Sequence, residues 1–417
     1  MKKRILAVLL CLAVAVMALL PLSGCSAQAG DLMSGVRASG VSADVVLDGP
    51  EAAAVTDFGV RLFQESLAGG ENVMISPLSI LYALAMTANG AKGETLAQME
   101  TVLGLPVEAL NPYLHTLMEA LPSGKKAKLD VANAIWFRDS EGFTVERDFL
   151  QANADWYGAG LYKAPFDSGT CREINDWVSR RTDGMIPSIL DRISESAVMY
   201  LINALAFEAE WEEIYRESQV RDGVFTREDG TAEAVKLMYA EESRYLEDEH
   251  AAGFLKYYAG RQYAFAALLP EEGVTVADYA AGLTGEHLRD LLESARAEEV
   301  RTAIPVFESE YSVEMSGILK AMGMTGAFDM DAADLSGIGA TENGKLFISQ
   351  VLHKTYISVD ATGTRAAAVT VAEADAGSDM PLEEPKTVYL DRPFLYLLID
   401  CGTNLPIFIG AVMDVGE

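Results

Sequence analysis

Apolar positions recur at helical spacing early in this chain and at a period of two later on. Val55, Phe58, Leu62 and Phe63 lie at helical spacing and predict a helix over 51–68, stopped by Gly69-Gly70. Ser76-Pro77 opens a second helix, since proline suits a first helical turn, and that helix runs to Asn89-Gly90. A third is predicted over 93–103. Strand-like runs begin at 129–137. A short helix over 174–181 ends near Asp183-Gly184, and further strands are predicted at 199–207, 263–269 and 300–307. The stretch 346–359 alternates like a strand, and 315–322 reads as helix. Three strands, 387–390, 394–399 and 407–413, close the chain, with 400–404 as the turn of a hairpin. Helices gather early and strands late, which predicts an α+β domain rather than alternating β/α units.

The start of the chain follows a different logic. Lys2, Lys3 and Arg4 precede an apolar run over 5–20, and Leu22-Ser23-Gly24-Cys25 follows. A basic start, a short apolar stretch and small residues before a cut describe a secretory signal peptide. The run is shorter than the ~20 residues that span a bilayer. Leu-Ser-Gly-Cys resembles the bacterial lipobox, which implies cleavage after residue 24 and acylation of Cys25, so that lipid chains hold the protein to a membrane surface. Residues 25–50 are rich in Ala, Gly, Ser and Asp without an apolar period, and are expected to form a flexible tether. The organisation predicted is a signal peptide over 1–24, the tether over 25–50, and one large domain over 51–417. The protein is expected to be exported, and lipid-anchored at the bacterial cell surface or extracellular.

Charge and cysteine content narrow the function. The chain carries a net charge of −30, and removal of Lys2, Lys3 and Arg4 takes it to −33. Such a surface argues against nucleic-acid partners, which need basic grooves. It suits solubility, and it would speed encounter with basic proteins. Of four cysteines, Cys11 lies in the signal peptide and Cys25 at the lipid site. Cys171 and Cys401 remain, outside any metal-binding spacing, and their pairing is open.

Enzyme motifs are missing or fail in context. Gly339 to Lys345 has the spacing of a phosphate-binding loop, but Leu346 stands where a Ser or Thr should hold magnesium. Ser123-Gly124-Lys125-Lys126 fits Ser-x-x-Lys without its partner motifs. His115, His250, His287 and His353 are scattered, and no Gly-x-Ser-x-Gly elbow exists. No catalytic group, metal site or cofactor is predicted, and the chain is not expected to be an enzyme.

Several segments together resemble the serpin family. They include Asn72-Val73-Met74-Ile75-Ser76-Pro77-Leu78-Ser79, Gly90-Ala91-Lys92-Gly93, Ala132-Asn133-Ala134-Ile135-Trp136-Phe137 and Ile174-Asn175-Asp176-Trp177-Val178. Leu201-Ile202-Asn203-Ala204, Asp334-Leu335-Ser336-Gly337-Ile338, Val351-Leu352-His353-Lys354 and Arg392-Pro393-Phe394 continue the series in order. The resemblance implies a serpin fold with three β-sheets, about nine helices and an exposed reactive loop. It also implies a mechanism: a target serine protease cleaves the loop, forms an acyl-enzyme, and is trapped when the loop inserts as a new strand in the main sheet. Ser76, Ser79, Asn203 and His353 match the polar cluster beneath the opening of that sheet, and Trp211 matches the tryptophan where insertion begins. A monomer is expected. The alternatives are a non-inhibitory serpin acting as a surface binding protein, and an inhibitor of papain-like cysteine proteases.

The loop can be judged on its own residues. From Thr364, one alternate set is Thr364, Ala366, Ala368, Thr370, Ala372, Ala374 and Ala376, all small and uncharged. The other set carries Arg365, Glu373 and Asp375. Because alternate residues of a strand face opposite ways, one face is suited to slide between packed strands. The hinge Gly363, Thr364, Ala366, Ala367 and Ala368 follows the inhibitory pattern of Gly, Thr and then small residues. Two positions depart from it: Ala361 and Val306 stand where inhibitory relatives pair Glu with Lys. Losing both partners of an ion pair can be nearly neutral. Counting from the hinge puts the reactive bond at Gly377-Ser378, just after Ala376, whereas counting back from Pro393 gives Leu382-Glu383. The small residues before Gly377 predict an elastase-like target.

Overall fold

The computed structural model describes residues 29–416, apart from 44, 68–69, 122–123, 125, 343 and 365–384. The first helix, α1 (Pro50–Ser66), has Pro at its first turn and buries Val55, Phe58, Leu62 and Phe63, as their spacing predicts. Next comes α2 (Pro77–Ala88), which is buried on every side. A helix apolar all round belongs in a core, and α2 is the pillar behind the main sheet. Then follow α3 (Gly93–Leu103), ended by Gly104 in the left-handed region, and α4 (Val107–Ala120). Beyond them lie α5 (Arg147–Trp156), α6 (Ser168–Arg181), α7 (Val276–Gly282), α8 (Gly285–Glu293) and α9 (Ser316–Ala321). These are the nine α-helices among the described residues.

The main sheet has seven strands: β1 (Gly30–Asp31), β2 (Ala127–Arg138), β3 (Gly160–Ala164), β4 (Met199–Glu210), β5 (Phe307–Glu314), β6 (Gln350–Val359) and β7 (Gly363–Thr364). Their spatial order is β1-β3-β2-β4-β7-β6-β5. A six-stranded sheet holds Val73–Ile75, Pro406–Val412, Phe394–Asp400, Tyr263–Pro270, Ala251–Tyr257 and Tyr245–Glu247. A four-stranded sheet holds Lys386–Tyr389, Val300–Pro305, Ala232–Glu242 and Val220–Thr226, and a two-stranded pairing joins Gly339–Ala340 to Thr144–Val145. The α+β class stands, with this small fourth pairing beside the three sheets expected.

The main sheet is packed on both faces. Behind it lies the large core around α2. In front, α6 sets Ile174, Trp177 and Val178 against a second cluster that includes Ala132, Ala134, Ala204 and Leu352. Small residues on β2 and β4 let that helix sit close. Trp136 stacks on Tyr162 at 4.5 Å in the same layer.

Two sequence expectations change, and one open question is answered. The strand predicted over 300–307 is two strands in different sheets: Val300–Pro305 pairs along its length with Ala232–Glu242, and the chain crosses at Val306 before Phe307 begins β5. Cys171 and Cys401 are unpaired, the former on the buried face of α6 with its thiol on the Leu190 carbonyl, 3.3 Å away. The flexible tether is ordered from residue 29: β1 pairs with β3 at Gly30↔Lys163 and Asp31↔Tyr162. The Leu32 amide donates to Leu161 O (2.9 Å), Tyr113 Oη donates to Leu47 O (3.1 Å), and Arg289 pairs with Asp48 (2.6 Å). Composition suggested freedom, but the edge of a sheet offers unpaired backbone groups that any passing segment can satisfy. Residues 1–28, which include the signal peptide and Cys25, lie outside the described residues.

Candidate functional site: the opening of the main sheet

The two central strands of the main sheet run parallel and pair directly from Gln350 opposite Tyr200 to Tyr356 opposite Ala206. Above that point they part, and Gly363-Thr364 fills the gap. Gly363 lies opposite Glu210 and Thr364 opposite Ala209 on one side, while Thr364 pairs with Val359 on the other, antiparallel to both neighbours. The expectation of a loop exposed from Gly363 onward is corrected here: its first two residues are already buried strand. A side chain at Gly363 would bring Cβ within 2.1 Å of Ala209 O, so the position requires glycine for close approach. Ala366, Ala367, Ala368, Ala376, Gly377, Ser378, Leu382 and Glu383 lie outside the described residues.

The turn that delivers Gly363 is held on both sides. Asp360 Oδ1 accepts from the Thr362 amide (2.7 Å), the Thr362 hydroxyl (2.6 Å) and the Gly363 amide (3.2 Å). The Asp360 amide donates to Gly363 O (3.0 Å). Trp211, 1 % exposed at the end of β4, donates its indole N–H to Asp360 O (2.9 Å) and its amide to Thr362 O (2.9 Å). The Tyr215 amide donates to Ala361 O (2.8 Å). Tyr258 stacks on Trp211 at 4.4 Å between centroids and 12° between planes, and shares a hydrogen bond of 2.6 Å with the buried Thr364 hydroxyl. At the two departing positions, Ala361 and Val306 pack against the core.

Lower down, the four predicted polar residues meet behind the paired strands. Asn133, Asn203 and His353 share one row of the sheet across β2, β4 and β6. Their side chains face α2, whose first turn brings Ser76 and Ser79. The Ser76 amide donates to His353 Nε2 (3.1 Å), which fixes the imidazole proton on Nδ1, donating to Asn203 Oδ1 (2.6 Å). Asn203 Nδ2 donates to Ser79 Oγ and to Asn133 Oδ1 (2.5 Å for the latter), and the Ser79 amide donates to Ser76 Oγ (3.3 Å). Ser76, Ser79 and Asn203 are 0 % exposed. Every polar group here has a partner, as burial demands. Burial also pushes the His353 pKa down to about 3, so the ring is neutral at physiological pH. Nothing in this arrangement performs acid–base chemistry. It is a set of hydrogen bonds stitching the two halves of the sheet to α2.

Two groups of residues escaped sequence reasoning. Asn133 carries a legible signal, the single polar side chain in the apolar run Val131–Phe137. Tyr215, Tyr258 and Lys256 carry none, because only the fold brings them to Trp211.

Comparison with known proteins agrees with this architecture. Residues 53–415 match the family model described as Serpin (serine protease inhibitor). The leukocyte elastase inhibitor of Bos taurus is 32% identical over 382 residues, covering 86% of this chain and 97% of that protein. The native-state crystal structure of the thermophilic serpin tengpin superposes with a TM-score of 0.89 at 47% identity, covering 93% of this chain and 100% of that one. Its latent-state structure gives 0.79 at 45% identity, covering 90% and 100%. The closer likeness to the native form fits a sheet whose central strands are still paired. With this match over nearly its whole length, the chain belongs to the serpin family.

Proposed function

We propose that this chain inhibits serine-type endopeptidases as a suicide substrate: the loop is cleaved, an acyl-enzyme forms, and the loop inserts between β4 and β6 before the ester is hydrolysed. The observation that carries this reading is the antiparallel lodging of Gly363-Thr364 between two parallel strands, above a seam that is still paired. Continued in the same register, residue 370 falls between Asn203 and His353. The whole small-residue set from Thr364 to Ala376 then points to the α2 side. The reactive bond is Gly377-Ser378. Small residues before it and the likeness to a leukocyte elastase inhibitor support an elastase-like target. Anchoring through Cys25 at the cell surface, and action as a monomer, complete the proposal.

The test is to incubate the domain with an elastase-type protease, run a denaturing gel, and sequence the released C-terminal fragment. A covalent band of summed mass with a new N-terminus at Ser378 supports the reading. Complete cleavage without complex, across several serine proteases, overturns it in favour of a surface binding protein. A complex only with papain-like enzymes changes the target class. Radiolabelled palmitate incorporation lost in Cys25→Ala tests the anchor.

A further inference from the structure

Ala361 and Val306 leave the top of the sheet without charge at those positions, yet a buried charge lies close by. Lys256, on the strand Ala251–Tyr257, is 2 % exposed. Its ammonium lies 2.7 Å from Glu242 Oε1 and 3.3 Å from Glu213 O. It also lies 4.5 Å from the Tyr215 ring centroid and 5.3 Å from that of Trp211. These are the two residues whose amides and indole N–H hold the turn 360–362. Packing alone does not call for a cation here, because an apolar side chain of similar volume in place of a buried ion pair is neutral or stabilising. A cation between two π faces does something an apolar chain cannot: it attracts both rings from one point and so fixes their relative position. The cleft outside it is lined by Glu212, Glu241, Glu298 and Glu299, with Arg261 at its rim.

We propose that Lys256, paired with Glu242, is a positioning residue for loop insertion: by drawing Trp211 and Tyr215 together it sets the turn from which the loop runs into the sheet. It takes the place of the ion pair missing at 361 and 306. Without it the chain folds, but insertion starts from a loosened turn and loses the race against hydrolysis of the acyl-enzyme. The consequence for trapping rests on the inhibitory reading above, whereas the positioning does not.

Two variants separate these roles in the full domain. Lys256→Met leaves Glu242 buried and unpaired, and is expected to unfold easily. Lys256→Met/Glu242→Leu removes both charges at similar volume, and is expected to keep the thermal stability of the parent. In the double variant, hydrogen exchange at the Trp211 and Tyr215 amides should quicken at least about fivefold, while exchange in the paired stretch of β4 stays unchanged. With a protease that the parent traps, the ratio of cleaved inhibitor to covalent complex should rise by about the same factor, with the rate of initial cleavage unchanged. Parental exchange at those two amides, or a parental ratio of products, overturns the proposal. If the parent traps no protease, the inhibitory reading fails, and the exchange rates alone decide the positioning.

Discussion

At the scale of single residues, His353 shows how a buried polar group ties stability to pH. Its folded pKa is about 3 against an ordinary 6.5, because burial excludes the charged ring. Between those values the unfolded chain takes up a proton that the folded chain refuses. The stability of the closed sheet is therefore whole above pH 6.5 and falls as pH drops towards 3, by about 1.4 kcal/mol per unit. Many carboxylates titrate in the same window, so the informative quantity is the difference from His353→Gln, whose amide is uncharged throughout. Denaturant unfolding at pH 7 and pH 4.5 should show the variant's deficit shrinking, or reversing, at the lower pH. A constant deficit would mean that His353 is not the group responsible. Gly363 makes a steric argument at the same scale. Gly363→Ala would put Cβ 2.1 Å from Ala209 O and 2.8 Å from Glu210 Cα, so the backbone must move apart. The expected loss is about 1–3 kcal/mol, the usual range for overpacking, with the Thr364–Tyr258 hydrogen bond broken. Urea unfolding and Trp211 fluorescence would report it, and a variant as stable as the parent would refute the close approach.

At the scale of elements, the strand β1 and the segment after it act as an edge cover. Residues 30–32 satisfy backbone groups of β3, and amides and carbonyls between 29 and 39 bind side chains of α5 and α6: Ala29 N to Glu173 (3.0 Å), Ser39 N to Asp155 (2.6 Å), and Gln151 Nε2 to Arg37 O (3.0 Å). Each such hydrogen bond contributes about 1 kcal/mol net, and the uncovered edge of β3 would be open to pairing with another chain. A domain starting at residue 49 is expected to melt several degrees lower and to associate on warming. Calorimetry and light scattering check this, and an unchanged melting point with no association would show that the contacts are dispensable. Part of this level was legible in advance. The helix α3 has the bounds that its spacing predicted, and the closing hairpin turns at Asn404 in a left-handed conformation. The helices α4, α5, α7 and α8 were not predicted, and α6 begins six residues before the predicted start, at an Asp167 cap that polarity alone did not single out.

At the scale of the molecule, the closed sheet is poised above a longer pairing that it has not made. Each inserted residue would gain backbone hydrogen bonds worth about 1 kcal/mol and lose about 1–2 kcal/mol of chain freedom. The drive must therefore come from packing the small face of the loop against α2 and from relief of the parted strands. This makes Thr370 the sensitive position, since the register brings it beside Asn203 and His353. In Thr370→Arg a charge would enter a fully buried row, so insertion should stop while the distant reactive bond is still cut. The expected outcome is cleavage without covalent complex, and cleaved protein without added heat stability. A stable complex from this variant would mean that the loop takes another path. What the sequence determined by itself is the family, the order of most elements, the polar residues under the seam, and the two-sided character of the loop. The two faces of the loop are a pattern of period two, whereas the family and the polar residues follow from the resemblance, whose motifs are carried by residues close together in the chain. Only the tertiary structure decided that 29–39 and 47–48 are bound, that Gly363-Thr364 is already strand, and that Lys256 sits between Trp211 and Tyr215. Those facts depend on contacts between distant segments, where the partner that satisfies a backbone edge or a buried charge leaves no mark on its local sequence.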